Sequence, residues 1–212
     1  MNSTLIFILL IFSAVLPVII LFIWFRIKAE INTIYFLAAL ACGIISLLAA
    51  AICQHFFPIT GNQSNIAVIF MSVFIRIALI EESSRIVTLF PLVKFGGKYG
   101  DLSFAAHLGL AAGLGFAAVE NAFYGTQDIN ITWLRLISAA PLHGACGIRT
   151  AAAVYKFPGQ ALRAVGLFLS AIIIHGAYNL IIISPIIPSY IAIPIAIISL
   201  IITLPMLKGE GE

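Results

Sequence analysis

"IAVIFMSVFIRIALIEESSRIVTLFPLV", residues 66–93, is about 28 residues of nearly unbroken hydrocarbon that nevertheless holds Arg76, Glu81, Glu82 and Arg85. A helix of that length spans about 42 Å at 1.5 Å per residue, against a hydrocarbon core of about 30 Å. The run must tilt, break or project past the headgroups, and Pro91 suits a break near its inner end. A charge at the bilayer centre costs roughly 2.5–3.5 kcal/mol on insertion scales. The charges are tolerable if they face the interior of a bundle and pair there, or line a wet cavity.

The rest of the chain supplies such a bundle. Of 212 residues, 62% are hydrophobic and only 9% charged, where a soluble domain carries roughly 25%. Apolar runs long enough to cross a bilayer fall at roughly 3–25, 33–53, 66–93, 102–123, 132–154, 164–183 and 190–206. This predicts an all-α polytopic membrane protein of about seven transmembrane helices, forming one domain over residues 1–212. The first run, "TLIFILLIFSAVLPVIILFIWF" (4–25), lacks a positive n-region and is followed by Arg26 and Lys28, so it reads as a retained span. Connections after the first, third and fifth spans carry Arg26, Lys28, Lys94, Lys98, Lys156 and Arg163, and the tail carries Lys208. Connections after the second, fourth and sixth spans carry no lysine or arginine. The positive-inside rule then puts the N-terminus outside and the C-terminus in the cytoplasm of a multi-pass cell-membrane protein. Cys42, Cys53 and Cys146 show neither CxxC nor zinc-ligand spacing and read as inert thiols. The lipid bilayer is the expected surrounding, no nucleic-acid partner is expected, and the oligomeric state is left open.

The fourth span is rich in glycine and alanine. Gly109 and Gly113 form a GxxxG pair that permits close backbone approach, which marks this helix as central. Polar residues at membrane depth include Arg76, Glu81, Glu82, Arg85, Glu120, Asn121, Arg135, His143, Arg149, His175 and Asn179. Counting along each span places Glu81, Glu82, His143 and His175 near mid-membrane. Asn179 lies one turn beyond His175 on the same face, and Glu120 and Asn121 lie further toward the outside. Glu81 and Arg85 are spaced i, i+4 for an intrahelical ion pair, which leaves Glu82, rotated by about 100°, to point elsewhere. Two carboxylates in unlike surroundings suit acid/base chemistry on water. Plainer readings stand beside these: Arg135 snorkels or pairs with Asp128, Arg149 snorkels to the cytoplasmic interface, His107 is interfacial, and Arg76 is a counter-ion for Glu120.

Four motifs in order, "EESSR" (81–85), "FAAVEN" (116–121), "PLHG" (141–144) and "HGAYN" (175–179), resemble the PrsW family of bacterial intramembrane proteases, relatives of the CAAX prenyl endopeptidases and the bacterial Abi proteins. "GLGFAAVENAFYG" (113–125) is the most specific piece. Arg85 stands where the first family motif usually ends in lysine. The resemblance implies that Glu81 and Glu82 are the paired glutamates of the first motif, Glu120 the second-motif residue and His143 the third. His175 and Asn179 belong to the last. It also implies cleavage of a membrane-anchored, anti-sigma-factor-like protein from the outer side.

On that reading, either Glu81 or Glu82, helped by Glu120 or His143, activates water, and His175, Asn179 and Asn121 hold the oxyanion or substrate. No cofactor is expected. The nearest alternative is a three-ligand zinc site built from two histidines and a glutamate, and the rival from another class is a proton-coupled transporter.

Overall fold

The computed structural model describes residues 3–28, 31–59, 65–96, 100–124, 129–184 and 186–210. They form seven helices, and no strand occurs among the described residues. α1 is Ser3–Lys28 and α2 is Thr33–Phe56. α3 runs continuously over 66–95 as an α-helical turn Ile66–Phe70, a π-helical stretch Met71–Leu79 and an α-helix Ile80–Phe95. α4 is Leu102–Tyr124, α5 is Ile129–Lys156 and α6 is Ala161–Ile183. α7 is Ala192–Leu207, entered through a 3₁₀ turn at Ser189–Ile191. The chain is an all-α polytopic membrane protein. Thr33–Phe56, Leu102–Phe123, Ala161–Ile183 and Ser189–Leu207 are long and apolar enough to cross a membrane by length and composition alone. α3 and α5 carry most of the intramembrane charges, and α4 carries Glu120.

Helix starts follow polar caps. Asn32 and Asn65 each accept from the backbone N–H two residues on, at 2.9 Å, and Asp101 accepts from Phe104 N at 2.7 Å. Outward faces carry large apolar residues such as Ile27, Phe56, Val87, Leu162 and Ile202, all exposed, as a lipid-facing surface requires.

α4 is the central helix, and small residues put it there. A Cβ on Gly109 would sit 2.2 Å from the Gly147 carbonyl oxygen of α5, and one on Gly113 would sit 2.0 Å from that of His143. On its other side a Cβ on Gly115 would meet the Leu40 carbonyl oxygen of α2 at 2.5 Å. Without side chains at these points, backbones meet backbones, and the helices of the site are drawn together.

The fold departs from the sequence reading along α3. Pro91 lies inside the helix that continues to Phe95, so no break occurs there. The irregularity is instead the π-helical stretch, ten or more residues earlier, where i→i+5 bonding widens the turn.

Candidate active site

Five helices send polar side chains to one buried cluster. α3 supplies Glu81, Glu82 and Arg85, α4 Glu120, α5 Arg135 and His143, α6 His175, and α2 adds Gln54. Glu82, Arg85 and His175 are 0% exposed, His143 1%, Arg135 3%, Glu81 5% and Glu120 6%. The acids and imidazoles expected to meet do meet. They form a closed cluster in which two of the three glutamates are matched by arginines.

The ion pairs differ from those the spacing suggests. Arg85 pairs with Glu82, one turn back at i−3, and not with Glu81. Both spacings lie on one helix face, and the choice is settled by neighbours: Glu81 accepts a hydrogen bond from Gln54 Nε2 at 3.0 Å. The Arg85 guanidinium also stacks over the Phe116 ring, 4.6 Å from its centroid. Glu120 Oε2 lies 2.5 Å from Arg135 Nη2 and 2.7 Å from His143 Nε2. Arg135 is therefore a buried counter-ion, not a snorkelling one; Asp128 lies outside the described residues. Arg76 is not the partner of Glu120: it donates from Nη2 to the Gln54 carbonyl at 3.2 Å. Arg149 does not snorkel either. It is buried and donates to the carbonyls of Ala145 and Ser199 at 3.2 and 3.3 Å. His107 is buried rather than interfacial, with Nδ1 2.7 Å from the Ser103 carbonyl and its ring 5.0 Å from that of Phe25.

Each imidazole is oriented by its partners. Arg85 Nη2 lies 3.4 Å from His143 Nδ1. Arginine can only donate, so Nδ1 accepts and Nε2–H faces Glu120. His175 Nδ1 lies 2.8 Å from Glu82 Oε1, so Nδ1 carries the proton that the carboxylate accepts. In the neutral ring this leaves the His175 Nε2 lone pair pointing at Glu81 Oε2, 3.5 Å away. Neither of these two atoms makes a hydrogen bond among the described residues. The two rings stand perpendicular, 5.0 Å between centroids, and Phe116 packs 4.8 Å from His143.

Charge pairing now separates the three glutamates. Glu82 is matched by Arg85 and Glu120 by Arg135. Among the described residues Glu81 has only an amide and an imidazole against it. Asn121 is buried beside Glu120 with its Oδ1 unbonded among the described residues, and Asn179 is buried one turn beyond His175. Gln54 is the contributor that the sequence reading misses. It falls just beyond the apolar run 33–53 and so belongs to the outer connection on hydropathy alone, whereas α2 continues to Phe56 and turns it inward.

A family model described as PrsW family intramembrane metalloprotease matches residues 32–206. No curated protein and no solved structure matches the chain. The matched region contains all the residues of the cluster and most of the sequence. A membrane protein that gathers carboxylates and imidazoles from four helices and an amide from a fifth, all within the matched residues, belongs to the PrsW family of intramembrane proteases.

Proposed function

We propose that the protein is an endopeptidase that hydrolyses a peptide bond of a membrane-anchored, anti-sigma-factor-like protein from the outer face of the cell membrane, with Glu81 as the base. The observation that carries this assignment is that Glu81 alone among the three buried glutamates has no arginine partner among the described residues, while its Oε2 faces His175 Nε2 at 3.5 Å.

The name of the family invites a metal, and the donor set can be tested for one. Zinc in a hydrolase takes three protein ligands and leaves a fourth position for water. Among the described residues no three of His, Cys, Asp and Glu are grouped so that they could hold an ion. His143 spends Nδ1 on Arg85 and Nε2 on Glu120, and the carboxylates of Glu82 and Glu120 are each engaged by an arginine. That leaves Glu81 Oε2 and His175 Nε2, one donor short. The arrangement does not fit a three-ligand site, and the chemistry proposed uses water and the glutamate.

In that chemistry a water held between Glu81 Oε2 and His175 Nε2 gives a proton to Glu81 as its oxygen attacks the scissile carbonyl. The C–N bond then breaks and the leaving amine takes the proton from Glu81. Glu82 holds the tautomer and orientation of His175, and Glu120 does the same for His143, whose edge faces the cluster. The developing oxyanion is assigned to the side-chain amides of Asn179 and Asn121. The cluster is closed, so helices must part to admit a peptide, and remote binding energy has to supply that opening.

Co-expression with single-span membrane proteins bearing outer domains, comparing wild type with Glu81→Gln and Glu82→Gln, tests the assignment. Wild type yields a cleavage product, Glu81→Gln abolishes it at unchanged protein level, and Glu82→Gln leaves residual activity. Purified active protein is then assayed for metal and after chelation. Loss of activity on chelation with recovery on adding zinc would overturn the glutamate mechanism.

A further inference from the structure

We infer that Gln54 is a positioning residue for Glu81, held in place by Arg76, so that the end of α2 sets which oxygen of the base faces the reaction. This rests on the assignment of Glu81 as the base. Gln54 Nε2–H donates to Glu81 Oε1 at 3.0 Å. Glu81 is therefore pinned through one oxygen, and Oε2 is the one turned to His175 Nε2 at 3.5 Å. A free glutamate side chain rotates its carboxyl group easily, and fixing it in the reactive orientation removes an entropic cost from the barrier.

Gln54 would itself be loose without a second contact. It lies in the last turn of α2, which ends at Phe56, where backbone carbonyls lack helical partners and carry the negative end of the helix dipole. Phe57 N satisfies the Cys53 carbonyl at 3.1 Å, and Arg76 Nη2 satisfies that of Gln54 at 3.2 Å. A cation at a helix C-terminus is favourable, which accounts for an arginine that has no acidic partner among the described residues. Arg76 thus anchors the backbone of the residue whose side chain pins Glu81.

The π-helical stretch makes the double contact possible. Arg76 and Glu81 are five residues apart, about 140° around an ideal α-helix, which would point them at different neighbours. Arg76 lies within the widened turns of Met71–Leu79, where i→i+5 bonding brings residues at that spacing toward one side. Both then reach Gln54.

The test compares Gln54→Leu, Gln54→Glu and Arg76→Met with wild type, using a single-span reporter protein that wild type cleaves. Losing a hydrogen bond to a charged group corresponds to about tenfold or more in rate. Gln54→Leu is expected to lower kcat by that factor with KM and thermal midpoint little changed. Gln54→Glu, which sets a second carboxylate against Glu81, lowers it further, and Arg76→Met falls between wild type and Gln54→Leu. Infrared difference spectra of protein with ¹³C-labelled glutamate, with Glu81→Gln used to identify the band, should show the Glu81 carboxylate stretch displaced in Gln54→Leu. A merely structural role for Gln54 would lower the midpoint and leave that band in place, which would overturn the inference, as would an unchanged kcat. If Glu81→Gln cleaves at the wild-type rate, the base is misassigned whatever the band does. If Glu81→Gln is inactive while Gln54→Leu is not, the positioning role alone fails.

Discussion

At the scale of the residue, the site consists of charges that cancel in pairs and one carboxylate left over. Glu120 and Arg135 are both buried, and removing one member of a buried pair strands the other at about 3–5 kcal/mol. Arg135→Met should therefore lower the thermal midpoint in detergent sharply, and Glu120→Gln in the same chain should recover much of it. Two additive losses would mean the pair is not coupled. Asn179→Ala tests a different kind of role: an oxyanion donor contributes about 2.7–4 kcal/mol in the transition state, so turnover should fall by a hundredfold or more with the midpoint unmoved. Cleavage at the wild-type rate would remove Asn179 from the mechanism. The motif residues Glu81, Glu82, Glu120, His143 and His175 were legible in the sequence because charges at membrane depth have few explanations. Their partners were not. The i+3 and i+4 spacings are equally compatible with one face, so Arg85 could be matched to Glu82 only once Gln54 was seen to hold Glu81. Gln54 itself was hidden by a helix end three residues beyond the apolar run.

At the scale of the element, helix positions were readable from hydropathy and helix contacts were readable in part. The Gly109–Gly113 pair marks a close approach, and the structure supplies its surface: the Gly147 and His143 carbonyls of α5. The π-helical stretch left no such mark, because Arg76 apart its residues Met71–Leu79 read like those of an apolar α-helix. Its packing explains it better than its composition. Phe74, stacked on Phe70 at 4.4 Å, lies against α6 where Gly176 leaves room, and a Cβ on Gly176 would meet the Phe74 ring at 2.3 Å. This contact sits beside His175 and one and a half to two turns before Glu81, so it sets the distance between them. Gly176→Ala should therefore lose most activity at a modest stability cost, since overpacking typically costs about 1–3 kcal/mol. Phe74→Leu in the same chain should restore activity, as the smaller side chain vacates the space. If the double variant is no more active than Gly176→Ala, the Phe74–Gly176 contact is not what places α3 against α6. Gly113→Ala has no such rescue, because the atom it meets is backbone.

At the scale of the whole molecule, the arrangement joins burial of charge to a sidedness that the basic residues predict. Arg26, Lys28, Lys94, Lys156, Arg163 and Lys208 all lie at or beside helix ends that an up-and-down bundle of seven places on one side, which the positive-inside rule makes cytoplasmic. The opposite side then carries the end of α2 with Gln54, the start of α3 and the end of α4 with Glu120, so this sidedness predicts a cluster lying from mid-membrane toward the outer surface. The proposed cleavage from the outer face depends on that sidedness. It can be measured without a substrate. In a chain with Cys42, Cys53 and Cys146 replaced by alanine, Ser189→Cys, exposed before α7, should react with a membrane-impermeant maleimide added to intact cells. Lys208→Cys, exposed at the other end of α7, should react only after the membrane is opened. The inverse labelling pattern would turn the cluster toward the cytoplasm and leave Glu81 as a base for a substrate presented from within, with the pairing of charges unchanged but the outer-face cleavage refuted.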